Sequence, residues 1–82
     1  MVTEGQIATT RRNLGNRIRL VRTGQGLTQG RFALMIGMDR SYLLDVEKGR
    51  RNVSVDNLIR ISNGLGIKLS DLCRGVDEQQ AM

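Results

Sequence analysis

The chain of 82 residues contains no histidine, no proline and no tryptophan, and only one cysteine. Without an imidazole it cannot form the usual catalytic triads, and with a single thiol it also lacks the ligands of the usual zinc sites. One cysteine cannot form an internal disulfide, which favours a reducing compartment and a packed Cys73 thiol. The sequence therefore predicts a protein without enzymatic activity, bound metal or cofactor, and no small-molecule ligand is expected.

Long apolar segments are also missing. No run approaches the roughly 18 apolar residues of a membrane span. The first ten residues lack the basic start and the apolar stretch of a signal peptide. We therefore expect a cytoplasmic protein with no membrane partner.

The positive charge is concentrated in the middle of the chain. The 13 Lys and Arg residues outnumber the 8 Asp and Glu residues, which gives a net charge of +5. Residues 11–51 alone carry +7, whereas the remaining residues together carry −2. Arg is far more frequent than Lys, and its planar guanidinium suits phosphates and guanine edges. This distribution indicates a polyanionic partner, with an ordinary solvated surface as the alternative.

Apolar residues recur at helical spacing, and no run of alternating β-branched residues predicts a strand. The spacing predicts five short helices. The first is capped by Thr9 or Thr10 and runs to about Thr23. The second is capped by Thr28 and stops at Gly37, where the turn requires a positive φ.

The third helix is capped by Asp39 and runs to about Lys48. The fourth is capped by Ser54 and ends at Gly66, and a last short helix follows. Four residues of the fourth helix are expected to point into the core: Val55, Leu58, Ile61 and Leu65. Glycines inside the second and fourth helices, Gly30 and Gly64, should each cost about 1 kcal/mol relative to alanine.

Only about three residues around Gly37 separate the second and third helices, which predicts a steep crossing of the helix-turn-helix type. The third helix can then project into a major groove, which is wide enough for one helix. We expect a single domain over residues 9–75, flanked by flexible tails at residues 1–8 and 76–82.

Several short strings occur in a fixed order between Leu14 and Leu72: Leu14-Gly15, Arg17-Ile18-Arg19, Gly26-Leu27-Thr28-Gln29, Phe32-Ala33, Ser41-Tyr42-Leu43, Val46-Glu47 and Leu65-Gly66. In this order and spacing they resemble the Cro/repressor-like helix-turn-helix family, often called the Xre family. The resemblance implies an all-α, five-helix, lambda-repressor-like DNA-binding domain. It also implies a transcriptional regulator that binds double-stranded DNA at a (pseudo)palindromic operator as a homodimer.

The resemblance implies DNA contacts from the start of the second helix, the third helix and the loop after it: Thr28, Gln29, Arg40, Ser41, Leu44, Asp45, Arg50 and Arg51. Gln29 would contact the DNA backbone, and Arg50 and Arg51 would hold flanking phosphates. Tyr42 is expected to pack against the fourth helix rather than to stack on a base.

The residues of the third helix leave alternatives open. Arg40 reads a base, or it pairs with Asp39 or contacts a phosphate. Ser41 contacts DNA, or it helps to cap its own helix. Leu44 contacts a thymine methyl, or it covers the helix body. Asp45 accepts from a cytosine amine, or it pairs with a neighbouring charge.

Two further sets of residues have structural roles. In the family an Arg near the end of the first helix often pairs with a Glu at the end of the third, which implies a partly buried pair between Arg22 and Glu47. Few charges accompany the apolar residues near the C-terminus, so the dimer interface is expected there: Ile67, Leu69, Leu72 and Cys73.

The closest rival functions share this fold: an antitoxin, a restriction–modification controller, or a phage or mobile-element repressor. The short stretch after Gly75 is small for the toxin-binding segment of an antitoxin. A different class of protein, an interaction module that has lost DNA binding, is disfavoured because Gln29, Arg40 and the Arg50–Arg51 pair are all present.

Overall fold

The computed structural model describes residues 1–78. These residues form five helices: α1 (Glu4–Gly24), α2 (Gln29–Met35), α3 (Arg40–Glu47), α4 (Val55–Leu65) and α5 (Leu69–Leu72). These residues include no strand, so the predicted all-α fold with five helices is confirmed. Within the same residues, no helix is both long and apolar enough to cross a membrane.

The first helix begins earlier than the sequence pattern predicted. Thr3 caps it, because its hydroxyl accepts from the backbone N–H of Gln6 at 3.1 Å. The Gln6 side chain in turn accepts from the backbone N–H of Thr3 at 2.8 Å. This reciprocal capping box satisfies two free donors at once. The expected cap at Thr9 or Thr10 is therefore wrong, and residues 4–8 are helical rather than part of a tail.

The start of the expected C-terminal tail is attached to α1. The Asn13 side-chain amide donates to the Val76 carbonyl at 2.9 Å, and Val76 is half-buried. The last four residues of that expected tail, 79–82, lie outside the described residues.

The predicted caps of the next three helices are confirmed. Thr28 accepts from the N–H of Arg31 at 3.1 Å, and Asp39 accepts from the N–H of Ser41 at 2.8 Å. Ser54 likewise caps α4. Each cap satisfies a backbone donor that the first turn of a helix leaves free. These local bonds fix where α2, α3 and α4 begin.

The core lies where α1, α2, α3, α4 and α5 meet. Its buried apolar residues are Ile18, Phe32, Ala33, Leu43, Val46, Ile61, Leu65 and Leu72. One expected member is absent, because Val55 is 62% exposed. Val55 lies one turn before Ile59 on the flank of α4, about 60° of helix rotation from Leu58, so the expectation that it faces the core is wrong.

Two glycines allow close helix contacts. A Cβ on Gly15 of α1 would lie 2.4 Å from the Glu47 carbonyl oxygen at the end of α3. A Cβ on Gly64 of α4 would lie 2.4 Å from Cγ2 of Ile36 and 2.9 Å from a ring carbon of Phe32. Gly64 is therefore required by packing, and the expectation that it only weakens its helix is corrected.

Candidate nucleic-acid interface

A tight turn joins α2 to α3. Ala33 is buried where the two helices touch, and its carbonyl accepts from the N–H of Met38 at 2.9 Å. Gly37 in the turn has a φ of +65°, a conformation that favours glycine. This tight turn sets the orientation of α3 relative to α2.

One face of α3 is buried and the other is available to a partner. Leu43, Val46 and Glu47 are buried against the body of the domain. Arg40 and Ser41 are exposed, and Leu44 and Asp45 are half-buried. The predicted DNA-contacting residues of α3 therefore share the outward side of one short helix.

A buried ion pair holds the end of α3 against α1. Nε and Nη2 of Arg22 donate to the two carboxylate oxygens of Glu47 at 2.7 Å and 2.9 Å. The Arg22 side chain is 7% exposed and that of Glu47 is 2% exposed. Nη1 of Arg22 also donates to the Leu27 carbonyl at 2.6 Å. The pair is more deeply buried than the sequence suggested, and it fixes α3 relative to two other segments.

Gln29 extends this network, which sequence reasoning missed. Its side-chain amide nitrogen donates to a carboxylate oxygen of Glu47 at 3.0 Å. Gln29 stands at the start of α2, so this bond joins that end of α2 to the end of α3. Part of the Gln29 amide is therefore engaged within the protein, and Thr28 beside it caps α2.

The start of α3 is organised around Asp39. The backbone N–H and the hydroxyl of Ser41 both donate to one carboxylate oxygen of Asp39. These hydrogen bonds from Ser41, with a smaller effect from the positive charge of Arg51, lower the pKa of Asp39 below its ordinary value of 3.8. Ser41 thus takes part in capping its own helix. Arg40 is exposed beside it, and no ion pair among residues 1–78 joins it to Asp39.

One residue of the basic loop after α3, Arg51, contacts two side chains of that helix. The guanidinium carbon of Arg51 lies 5.1 Å from the centre of the Tyr42 ring. Nε of the same side chain lies 3.7 Å from the Asp45 carboxylate. The Tyr42 hydroxyl accepts from the Asn57 side chain at 3.0 Å, which confirms that Tyr42 packs against α4. Arg50 is exposed. Asp45 therefore has the neighbouring charge that one interpretation of the sequence required.

A further basic residue lies beside this loop. A Cβ on Gly49 would come within 2.9 Å of the Arg12 backbone, so α1 passes directly against the residue that precedes Arg50. Arg12 is exposed there. The helical spacing of α1 alone does not reveal this proximity, because it arises from the packing of α1 on the end of α3.

The C-terminal region differs from the expected dimer interface at one residue. Leu72 is fully buried and belongs to the core, so it cannot contact a second subunit. Ile67, Leu69 and Cys73 are half-buried, and burial raises the pKa of the Cys73 thiol. Two apolar residues of α4 are more exposed than these, because Val55 is 62% exposed and Ile59 is 43% exposed.

Both a family model and individual known proteins match this chain. Residues 18–72 match a family model described as "Helix-turn-helix". Over 66 residues the chain is 42% identical to the control protein C.MunI of a Mycoplasma species, across 79% of this chain and 89% of the relative. Over 59 residues it is 37% identical to the control protein C.BamHI of Bacillus amyloliquefaciens, across 71% and 73% of the two chains.

A solved structure shares the arrangement of helices. The restriction-modification controller protein C.AhdI from Aeromonas hydrophila is 41% identical to this chain, with a TM-score of 0.73. The similarity covers 74% of this chain and 92% of C.AhdI. The two proteins are therefore similar both in sequence and in structure over most of their lengths.

Proposed function

Because the chain belongs to the helix-turn-helix family of DNA-binding transcriptional regulators, we propose that it binds a (pseudo)palindromic operator as a homodimer. One α3 helix occupies the major groove of each half-site. The observation that carries this proposal is the outward face of α3 with Arg40 at its first turn, fixed from behind by the buried pair of Arg22 and Glu47. We assign no catalytic step to the chain, and we propose a cytoplasmic location because its proposed partner is operator DNA.

Arg40 is assigned to base reading in this proposal. A guanidinium donates two hydrogen bonds to O6 and N7 of guanine, a pattern that no other base edge offers. Ser41 and Leu44 lie on the same side of α3 and complete the contact surface. The start of α2, at Thr28 and Gln29, faces the DNA backbone.

Arg50 and Arg51 follow α3 in the loop and are assigned to phosphates. Phosphate contacts are alike in every sequence, so they provide affinity and orientation rather than discrimination. Arg12 is added to this group because Gly49 brings it beside the loop.

A homodimer is proposed because one reading helix spans too few base pairs for useful specificity. Two helices that read half-sites about one helical turn apart solve this problem. We propose that the exposed face of α4 at Val55 and Ile59 forms the centre of the interface. The half-buried residues Ile67, Leu69 and Cys73 lie at its edge in this proposal.

Among regulators of this fold, we propose a restriction–modification controller. The support is the similarity to control proteins over nearly their whole length, 89% for C.MunI and 92% for C.AhdI. A phage or mobile-element repressor is the alternative. The genes that flank this one distinguish the two, because a controller is expected beside a methyltransferase and an endonuclease gene.

The deciding experiment is a binding titration with the DNA upstream of its own gene, against a scrambled duplex of equal length. A dimer that contacts about 6–10 phosphates should lose a factor on the order of 10³–10⁵ in affinity between roughly 50 and 200 mM salt. It should also prefer the upstream DNA. Equal binding to both duplexes, or a flat salt response, would refute sequence-specific DNA binding.

A further inference from the structure

Arg51 is the residue of the basic loop that the structure places most definitely. Its guanidinium lies over the Tyr42 ring, with 5.1 Å between the guanidinium carbon and the ring centre. Its Nε edge is turned to Asp45 at 3.7 Å. Both partners belong to α3, so the side chain is held against the helix that presents Arg40.

The Tyr42 ring is itself a fixed surface. It packs against the hydrophobic core, and its hydroxyl accepts a hydrogen bond from Asn57 of α4 at 3.0 Å. A cation above a fixed aromatic ring is favoured at exposed sites by a factor of about two to five in population. The contact with Asp45 adds little, because it exceeds hydrogen-bond distance and both side chains are partly exposed.

The guanidinium of Arg51 remains accessible to a partner, because its side chain is 53% exposed. An Arg side chain otherwise has many rotamers, and ordering such a side chain opposes binding. A side chain held in place before DNA arrives has lost part of that freedom already.

We propose that Tyr42 is a positioning residue for DNA binding: its ring holds Arg51 against α3 with the guanidinium accessible to a phosphate. This inference rests on the proposed DNA-binding function and assigns Tyr42 no DNA contact of its own. Arg51, which binds the phosphate, and α3, which reads the bases, then move as one unit. Tyr42 thereby raises affinity for every sequence without changing which sequence is preferred.

The test is a double-mutant cycle of Tyr42→Leu and Arg51→Ala, titrated on operator and scrambled DNA at several salt concentrations. Tyr42→Leu should weaken binding to both DNAs about two- to fivefold per subunit. It should leave the salt slope unchanged, because Arg51 still reaches the phosphate. Arg51→Ala should reduce the slope by about one unit per subunit. In the Arg51→Ala background, Tyr42→Leu should have no further effect.

Two controls isolate the ring. Tyr42→Phe keeps the ring and loses only the hydroxyl, so it should bind like the parent. Arg50→Ala removes a neighbouring positive charge without a ring contact, so its effect should add to that of Tyr42→Leu. If Tyr42→Leu weakens binding equally with and without Arg51, Tyr42 acts on α3 or on DNA, and the inference is overturned.

A measurement on the parent protein tests the contact between Tyr42 and Arg51 without requiring that any variant folds. Proton NMR should show the Cδ protons of Arg51 shifted upfield by the Tyr42 ring current, relative to those of Arg50. Equal shifts for the two residues would overturn the inference even if operator binding is normal. Conversely, a parent protein that shows the shift but does not prefer its operator would contradict the proposed function, not the ring contact.

Discussion

The pair of Arg22 and Glu47 is the most consequential contact between single residues, because both charges are almost completely removed from water. Removal of one partner leaves the other buried and unpaired, which costs about 3–5 kcal/mol. Glu47→Ala should therefore lower the free energy of unfolding strongly, measured by chemical denaturation. Asp56→Ala, which removes an exposed carboxylate from the first turn of α4, should cost at most about 1 kcal/mol, the size of its interaction with the helix dipole. Similar results for the two variants would show that the pair contributes nothing beyond a surface contact.

Two arginines near opposite ends of α3 should respond differently to DNA sequence. Arg40→Ala should cost about 1–3 kcal/mol on the operator and relax the preference at one base pair per half-site. Arg51→Ala should weaken operator and scrambled DNA alike, since phosphates carry no sequence information. The measurement is a titration of both variants against single-base operator variants. If Arg40→Ala weakens all of these DNAs equally, Arg40 is a phosphate ligand, and base reading must come from Ser41 or Leu44.

At the scale of the helix, α2 and α4 each contain an internal glycine, and the two should respond oppositely to alanine. A Cβ on Gly30 would meet only Cδ of Arg40 at 3.8 Å, whereas a Cβ on Gly64 would overlap Ile36. Gly30→Ala should stabilise by up to about 1 kcal/mol through helix propensity. Gly64→Ala should destabilise by about 1–3 kcal/mol through overpacking. Thermal unfolding of the two variants measures both effects, and stabilisation by Gly64→Ala would mean that the two helices separate more easily than the contacts imply.

The cap of α3 makes a pH-dependent contribution to stability. Hydrogen bonds from Ser41 lower the folded-state pKa of Asp39 below 3.8. A lowered folded-state pKa contributes stability above 3.8 that is lost as the pH falls through the folded-state value. Asp39→Asn keeps a capping side chain but does not titrate. Between about pH 6 and about pH 3, the parent should lose more stability than Asp39→Asn in chemical denaturation. Equal losses would contradict this assignment.

Local chemistry explains which elements the sequence predicted well. The caps at Thr28, Asp39 and Ser54 act within three residues of themselves, so the pattern alone located the starts of three helices. The capping box at Thr3 has the same local form. It was missed because the apolar spacing of α1 becomes weak before Leu14.

Features that depend on packing between helices were not predictable in this way. Leu72 and Val55 are both apolar, but one is fully buried and the other is 62% exposed. Which of them faces the core depends on where α4 and α5 meet the rest of the domain. The clash that Gly64 avoids and the bond from Gln29 to Glu47 also join segments that are distant in sequence.

At the scale of the whole molecule, two substitutions distinguish the proposed dimer interface from the hydrophobic core. Ile59→Asp should shift the protein from dimer to monomer and weaken operator binding, while its circular dichroism remains helical. Leu72→Asp should instead unfold the chain, because it buries an unpaired charge in the core. Arg60→Ala, which removes an exposed neighbour on α4, is the control. Analytical ultracentrifugation checks the assembly, and a dimeric Ile59→Asp would place the interface elsewhere.

The contacts that fix the end of α3 come from its buried side. Gly15 brings α1 against the carbonyls of Val46 and Glu47, and Arg22 holds the same end. The outward positions Arg40 and Leu44 contribute little to this support. Operator preference can therefore diverge quickly in evolution, because changes at these two positions cost the fold little. A library randomised at 40 and 44 should remain largely folded, and new target sequences should be selectable from it without compensating changes in the scaffold.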